Sequence, residues 1–193
     1  MPPSEEHLVV RHLRSLAEHM AVQHHDENTT TLMAFHDPVV RACIHEAKFA
    51  GNAKAWRLLG EMLAAYITAT YQEQRVCIVP VPLSGARLRS RGYNQVVMVL
   101  KGALPHMKNA VWQRGLLRRA NVRPQTELNK KERKQNIQDT FARQWFAKTP
   151  EQSADTVYIL LDDVLTTGAT IQEAKRVMRR EYGIKPHILA LAH

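Results

Sequence analysis

The 193 residues contain two cysteines, Cys43 and Cys77, and no C-x-x-C pair. A disulfide framework or a zinc ribbon built from them is not expected, and a reducing, cytoplasmic compartment is. Long apolar runs are missing as well. The longest stretches free of Asp, Glu, Lys and Arg, Met62–Gln72 and Val76–Ala86, are 11 residues each, whereas a membrane-spanning helix needs about 20. The first twenty residues carry Glu5, Glu6, Arg11, Arg14 and Glu18, which interrupts any secretory apolar core. Aromatics make up 6% of the chain, so partners for stacking on bases are few. No Gly-Lys step is followed by Ser or Thr, which removes the G-x-x-x-x-G-K-S/T loop and with it a P-loop ATPase. There is no internal repeat and no low-complexity tract.

What is abundant is positive charge, in one place. The net charge is +9. Residues 86–143 hold 14 Lys and Arg against three acids, while residues 1–85 hold 7 against 9 and residues 144–193 balance at 6 and 6. A basic segment of this kind attracts polyphosphate or nucleic acid. The densest histidine cluster, His24-His25-Asp26, reads as solvated loop residues, and no protein-bound metal is expected from it.

Apolar spacing predicts an amphipathic helix over 5–23, a polar loop over 24–31, and a helix capped by Asp37-Pro38 that ends near Gly51-Asn52. A third helix follows from Ala53 to about Tyr71. Val76–Pro82 is a short apolar run ending in prolines, a buried strand entering a constrained turn, followed by an Arg-rich turn and a helix over 93–104. Residues 110–117 and 141–146 are expected as strands, with a long basic loop over 118–136 between them. Val157–Leu161 has the continuous apolar character of a central parallel strand. A helix over 171–182 closed by Gly183, then a strand over 187–192, completes the alternation. The expected class is α/β, with a parallel sheet flanked by helices. Residues 1–72 form an N-terminal helical segment or hood, and residues 73–193 the core.

The most informative segment is Tyr158-Ile159-Leu160-Leu161-Asp162-Asp163-Val164-Leu165-Thr166-Thr167-Gly168-Ala169-Thr170. A buried strand delivers two carboxylates, Asp162 and Asp163, at its carboxyl end, where ligands of open parallel sheets bind. Gly168 allows a tight turn and close approach of an anion, and the helix that follows offers unpaired N–H groups and its positive dipole end. Hydroxyls of Thr166, Thr167 and Thr170 can donate to phosphate oxygens. The carboxylates would repel phosphate, so they suit the vicinal hydroxyls of a ribose one sugar away. A phosphate nest beside a sugar-hydroxyl clamp points to a 5-phosphoribosyl group, bound through Thr166, Thr167, Gly168, Ala169 and Thr170. Arg87, Arg89 and Arg91, between Gly85 and Gly92, supply forked donors for further phosphate.

The string over 158–170 resembles the phosphoribosyl pyrophosphate motif of type I phosphoribosyltransferases. Val79-Pro80-Val81-Pro82 and Arg91-Gly92-Tyr93-Asn94-Gln95 resemble the ComF (also GntX) signature. Lys48-Phe49 with Gly51-Asn52, Leu117-Arg118-Arg119, Gln125, Leu128, Arg133, Asn136 and Phe141 fall at positions similar to others of that family. The resemblance covers roughly residues 38–193. It implies a type I phosphoribosyltransferase-like fold and a role in natural competence and DNA uptake, with competence-machinery proteins as partners. One departure is clear. ComF proteins typically begin with a four-cysteine zinc ribbon, and no cysteine precedes Cys43 here.

On this reading the reaction is displacement of pyrophosphate from C1 of the ribose, with Asp162 and Asp163 orienting the sugar. Arg87, Arg89 or Arg91 and a Mg²⁺ carried by the substrate stabilise the leaving charge. The basic loop over 118–136 closes as a lid, with Arg119 and Arg133 reaching the ligand. Two other readings stay open on the sequence: a single-stranded-DNA-binding module in which the phosphoribosyl site is a sensor or relic, and a regulator that binds phosphoribosyl pyrophosphate without turnover. The acceptor is not legible.

Overall fold

A computed structural model of the chain describes residues 10, 13–113, 115–119, 140–144, 150, 153 and 155–193. Eight strands are found among them: β1 (Met20–Asp26), β2 (Thr29–Met33), β3 (Arg75–Pro80), β4 (Ala110–Trp112), β5 (Leu117–Arg119), β6 (Phe141–Arg143), β7 (Thr156–Val164) and β8 (His187–Ala192). The helices are α1 (Pro38–His45), α2 (Ala53–Thr70), α3 (Gly85–Arg91), α4 (Gln95–Ala103) and α5 (Ala169–Tyr182). Six strands form one mixed sheet in the order β1-β2-β8-β7-β3-β4. All neighbours in it are parallel except β1 and β2. β5 and β6 form a separate antiparallel pair. The class is α/β, as the alternation of elements predicts.

Strand periodicity divides the core into two layers of packing. Val76 and Ile78 of β3, Ile159 and Leu161 of β7, and Leu189 and Leu191 of β8 join one apolar cluster with Val40 of α1, Leu59 and Leu63 of α2, and Val99 and Leu100 of α4. Their neighbours in sequence, Cys77, Val79, Tyr158, Leu160, Ile188 and Ala190, join the other with Ile171, Ala174 and Val177 of α5 and Leu117 and Phe141 of the β5–β6 pair. Both faces of the central strands are thus covered, which is why those strands read as unbroken apolar runs. α2 and α4 meet almost backbone to backbone. A Cβ at Gly60 would lie 2.7 Å from the Gly102 carbonyl carbon.

Start and stop signals behave as their chemistry dictates. The Asp37 carboxylate accepts from the N–H groups of Val39 (2.8 Å) and Val40 (3.3 Å), and Pro38 opens α1. The helix runs on into a wider π turn, Glu46–Ala50, which Gly51 closes with a φ of 61°.

Four expectations need correction. Residues 5–23 are not one helix: Ala17–His19 is a 3₁₀ turn and Met20–Asp26 is strand. The loop expected over 24–31 is instead the β1–β2 hairpin. Asp26 accepts from the Asn28 N–H (2.8 Å) and the Thr29 hydroxyl (2.9 Å), and His24 and His25 each bond a threonine of β2 at 3.0 Å. The first 72 residues therefore supply strands to the sheet as well as α1 and α2. The single strand expected over 110–117 is two, separated at Gly115, whose φ is 75°. The Arg-rich turn is the helix α3, capped by Ser84, whose hydroxyl accepts from the Arg87 N–H (3.3 Å).

Candidate functional site

The sheet has one place where adjacent parallel strands send the chain in opposite directions. From β3 the chain proceeds through α3 and α4 to β4 on one side, and from its neighbour β7 through α5 to β8 on the other. At such a switch point the connections diverge and leave a crevice beyond the carboxyl ends of the strands. Here the crevice is a cleft of about 700 Å³, well within the size of small-ligand sites.

β7 places Asp162 and Asp163 in its floor. Because side chains alternate, the two carboxylates are aimed at different layers. Asp163 shares parity with Ile159 and Leu161, on the side of α1 and the π turn. There Lys48 Nζ meets its Oδ2 at 2.9 Å. Asp162 shares parity with Tyr158 and Leu160, on the side of β5, and it interacts with Arg119. Burial first, then the adjacent Asp163 carboxylate, pushes the Asp162 pKa up from 3.8 to about 7, against the pull of the Asp163 N–H, Lys48 and Arg119.

After β7, Leu165, Thr166, Thr167, Gly168 and Thr170 form one wall. Gly168 takes a φ of 71° and caps α5 without a side-chain oxygen. The first-turn N–H groups therefore have no N-cap acceptor, although the Ala169 N–H makes a long 3.5 Å bond to the Thr167 hydroxyl.

The opposite wall is cationic. Arg87 and Arg91 of α3 stand one helical turn apart on one face and line the cleft together. Arg119 of β5 completes the wall. Its guanidinium lies 5.1 Å from the centre of the Phe141 ring, and its buried Nε has no hydrogen-bond partner among the described residues. Burial and then Arg87 push its pKa down, while Asp162 opposes the shift.

Of the residues singled out from the sequence, the fold brings Asp162, Asp163, Thr166, Thr167, Gly168, Thr170, Arg87, Arg91 and Arg119 to this one cleft. Arg89 does not line it. Two residues on from Arg87 in a helix is roughly the far side, and a Cβ on Gly85 would meet the Arg89 guanidinium at 3.3 Å. Ala169 does not line it either. Arg133 and most of the loop expected over 118–136 lie outside the described residues. Lys48, Phe35 and His193 line the cleft without having been chosen as site residues. For Lys48 a signal existed, in the Lys48-Phe49 segment; for Phe35 and His193 none did.

Tyr93 and Asn94 brace the site rather than line it. The Tyr93 hydroxyl donates to the Ala47 carbonyl at 3.3 Å, and its ring meets Trp56 edge-on at 5.8 Å. The Asn94 side chain donates to the Val81 carbonyl at 3.0 Å while capping α4 through the Val96 N–H. Together they tie the Lys48 turn, the end of β3 and the basic helix into one unit. Among the described residues no group of three or more His, Cys, Asp and Glu is placed to hold a metal, and no helix is long and apolar enough to cross a membrane.

Several known proteins resemble the chain. Competence protein F of Haemophilus influenzae is 31% identical over 108 residues, 53% of this chain and 44% of that protein. Competence protein ComFC of Bacillus subtilis is 25% identical over 145 residues, 74% of this chain and 55% of the relative. DNA utilization protein YhgH of Salmonella typhi is 26% identical over 148 residues, 74% and 62%. The chain thus spans about half the length of the curated relatives it matches. No protein-family model matches it. The relatives bear out the resemblance to the ComF proteins read from the motifs.

Proposed function

We propose that this chain, a relative of the ComF competence proteins, binds phosphoribosyl pyrophosphate in the cleft on a type I phosphoribosyltransferase-like scaffold and transfers the phosphoribosyl group. The observation that carries the reading is the division of one cleft into three chemistries. There is an uncapped helix start with threonine hydroxyls, a carboxylate pair, and a wall of Arg87, Arg91 and Arg119.

The 5-phosphate takes the N–H groups and hydroxyls at Thr166–Thr170. The ribose hydroxyls donate to Asp162 and Asp163, and the pyrophosphate faces the arginines. An acceptor nitrogen then bonds to C1 as the C1–O bond to pyrophosphate breaks. The electron pair leaves with pyrophosphate, and the acceptor surrenders its proton to solvent or to the released pyrophosphate. Positive charge developing on the sugar ring is stabilised by the carboxylates, and the negative charge on the leaving group by the arginines.

Mg²⁺ enters with the pyrophosphate rather than residing in the protein. The two carboxylates are too few for a cage of their own, and one is engaged by Lys48. What the ion supplies is neutralisation of the pyrophosphate oxygens. The names of the relatives, two competence proteins and a DNA utilization protein, support a competence-related role. The basic stretch of residues 86–143 supports single-stranded DNA as a partner.

Pyrophosphate release measured against a panel of free bases, with and without single-stranded DNA, tests the reading. Release that depends on both phosphoribosyl pyrophosphate and an acceptor supports it. Binding of phosphoribosyl pyrophosphate with no release under any condition rejects the transferase and leaves a sensor.

A further inference from the structure

Phe49 is 64% exposed, more than Val22, Leu88 or Val111, the other large apolar side chains left open among the described residues. A single exposed apolar side chain is ordinary on a protein surface; what sets Phe49 apart is that its neighbours Lys48 and Arg91 line the cleft. The ring is not left loose. The His45 ring lies 4.7 Å from it at 44°, and the Arg91 guanidinium carbon lies 5.4 Å from its centre. The backbone beneath it is the π turn, closed by Gly51 and bonded through Ala47 to Tyr93.

Its location is fixed by its neighbours. Lys48, the preceding residue, lines the cleft and pairs with Asp163, and Arg91 lines the cleft while reaching over the Phe49 ring. The ring therefore stands on the rim of the cleft, on the Asp163 side. We propose that Phe49, braced by His45 and Arg91, is a stacking platform for a nucleobase presented to the phosphoribosyl site.

The chemistry around the ring selects that class. A purely apolar ligand gains nothing from a surround of Lys48, Arg91 and His45. A nucleobase has a π face for the ring and polar edges for the guanidinium and imidazole. A rim, unlike a closed slot, admits a base entering from solvent or one carried on a strand. The same chemistry therefore has two sources, a free base acting as acceptor or a base within single-stranded DNA. The inference rests on the proposed phosphoribosyl reading for what lies beside the platform, and the test separates the two.

The test compares wild type, Phe49→Ala and Phe49→Trp. Free adenine, guanine, cytosine and uracil are followed by saturation-transfer NMR in the presence of phosphoribosyl pyrophosphate and Mg²⁺. A short oligothymidylate is followed by anisotropy without them, and phosphoribosyl pyrophosphate alone is titrated by calorimetry. Phe49→Ala is expected to weaken base or oligonucleotide binding by about tenfold, the scale of one base–aromatic stack. Phe49→Trp should restore it, with phosphoribosyl pyrophosphate affinity and thermal melting unchanged in both variants. Loss confined to free bases identifies the acceptor subsite, and loss of the oligonucleotide identifies a strand-borne base. The platform is overturned if wild type binds neither probe, or if Phe49→Ala binds both as wild type does. Failure of wild type to bind phosphoribosyl pyrophosphate overturns the proposed function instead, and the oligonucleotide arm then decides the platform alone.

Discussion

Lys48 Nζ and Asp163 Oδ2 stand 2.9 Å apart in the floor of the cleft, with side chains 18% and 21% exposed. The pair joins the turn after α1 to the end of β7. It neutralises a carboxylate that otherwise faces the proposed site of a polyanion. A pair this far from water is costly to break on one side only, because the survivor keeps its desolvation without its partner. Lys48→Met is expected to lower unfolding stability by about 1–2 kcal/mol. It should also weaken phosphoribosyl pyrophosphate binding by about tenfold through the uncompensated charge. Urea denaturation of both single variants and of Lys48→Met with Asp163→Asn checks the first. The double variant should lose clearly less than the sum of the two losses.

Gly168 at a φ of 71° is the residue on which the proposed phosphate loop turns. A β-branched side chain there meets the left-handed backbone penalty, on the order of 1–3 kcal/mol. The nearest atom a Cβ would meet is Leu165 Cδ1 at an ordinary 3.5 Å, so conformation rather than crowding is the obstacle. Gly168→Val is expected to abolish phosphoribosyl pyrophosphate binding while the circular dichroism spectrum remains that of a folded chain. Calorimetry showing wild-type affinity in this variant would reject the phosphate loop as the site.

Much of this arrangement was legible because its signals are local. Continuous apolar runs marked β3, β7 and β8. Asp37-Pro38 marked the start of α1, Gly183 the end of α5, and the Asp162–Thr170 string the floor and one wall of the cleft. The errors fall where hydrophobic period carries no information. β1 is exposed on both faces, so no alternation betrays it, and the apolar residues before it fit a helical spacing. α3 buries none of its residues, and its arginines at alternate positions read as a turn. That Arg87 and Arg91 share a face while Arg89 does not follows only once the segment is known to be helical. The Lys48–Asp163 pair and the Gly60–Gly102 contact join residues distant in the chain, which no local pattern reveals.

Mg²⁺ dependence follows from the scarcity of anionic ligands in the cleft and the charge of the proposed substrate. Three arginines line the cleft where the proposed pyrophosphate would sit, and among the described residues no group of three or more His, Cys, Asp and Glu is placed to hold a metal. On the proposed reading the ion comes with the substrate. Phosphoribosyl pyrophosphate titrated in EDTA is expected to bind at least about tenfold more weakly than in millimolar Mg²⁺. Equal affinity in both conditions would count against the phosphoribosyltransferase reading, whereas inorganic sulfate at the helix start should be indifferent to the metal.

Asp162 gives the protein a pH dependence whose sign can be worked out. Its pKa is raised from 3.8 to about 7, chiefly by burial and next by Asp163. The folded state therefore holds a proton that the unfolded state has released, and stability falls as pH rises between the two values. Below about pH 4 both states are protonated and nothing is lost. Above about pH 7 both are ionised, and the full penalty is in place. Asp162→Asn removes the titration but keeps a side chain of similar size, able to hydrogen-bond. It is expected to be more stable than wild type at pH 8, by an amount on the order of 2 kcal/mol once sharing of the proton with Asp163 is allowed for. At about pH 4 the two proteins should differ little, and at pH 5 the difference should already be visible. Thermal melts from pH 4 to pH 8 check the prediction, with the gap between the two curves opening from about pH 4 and levelling off above about pH 7. A gap that is constant with pH would mean that Asp162 is already ionised in the folded protein at pH 5. The same variant separates stability from function. An amide still accepts a hydrogen bond from a ribose hydroxyl but no longer stabilises positive charge on the sugar. Phosphoribosyl pyrophosphate should therefore bind within about threefold of wild type, while pyrophosphate release falls by about a hundredfold, the scale of losing one preorganised electrostatic group.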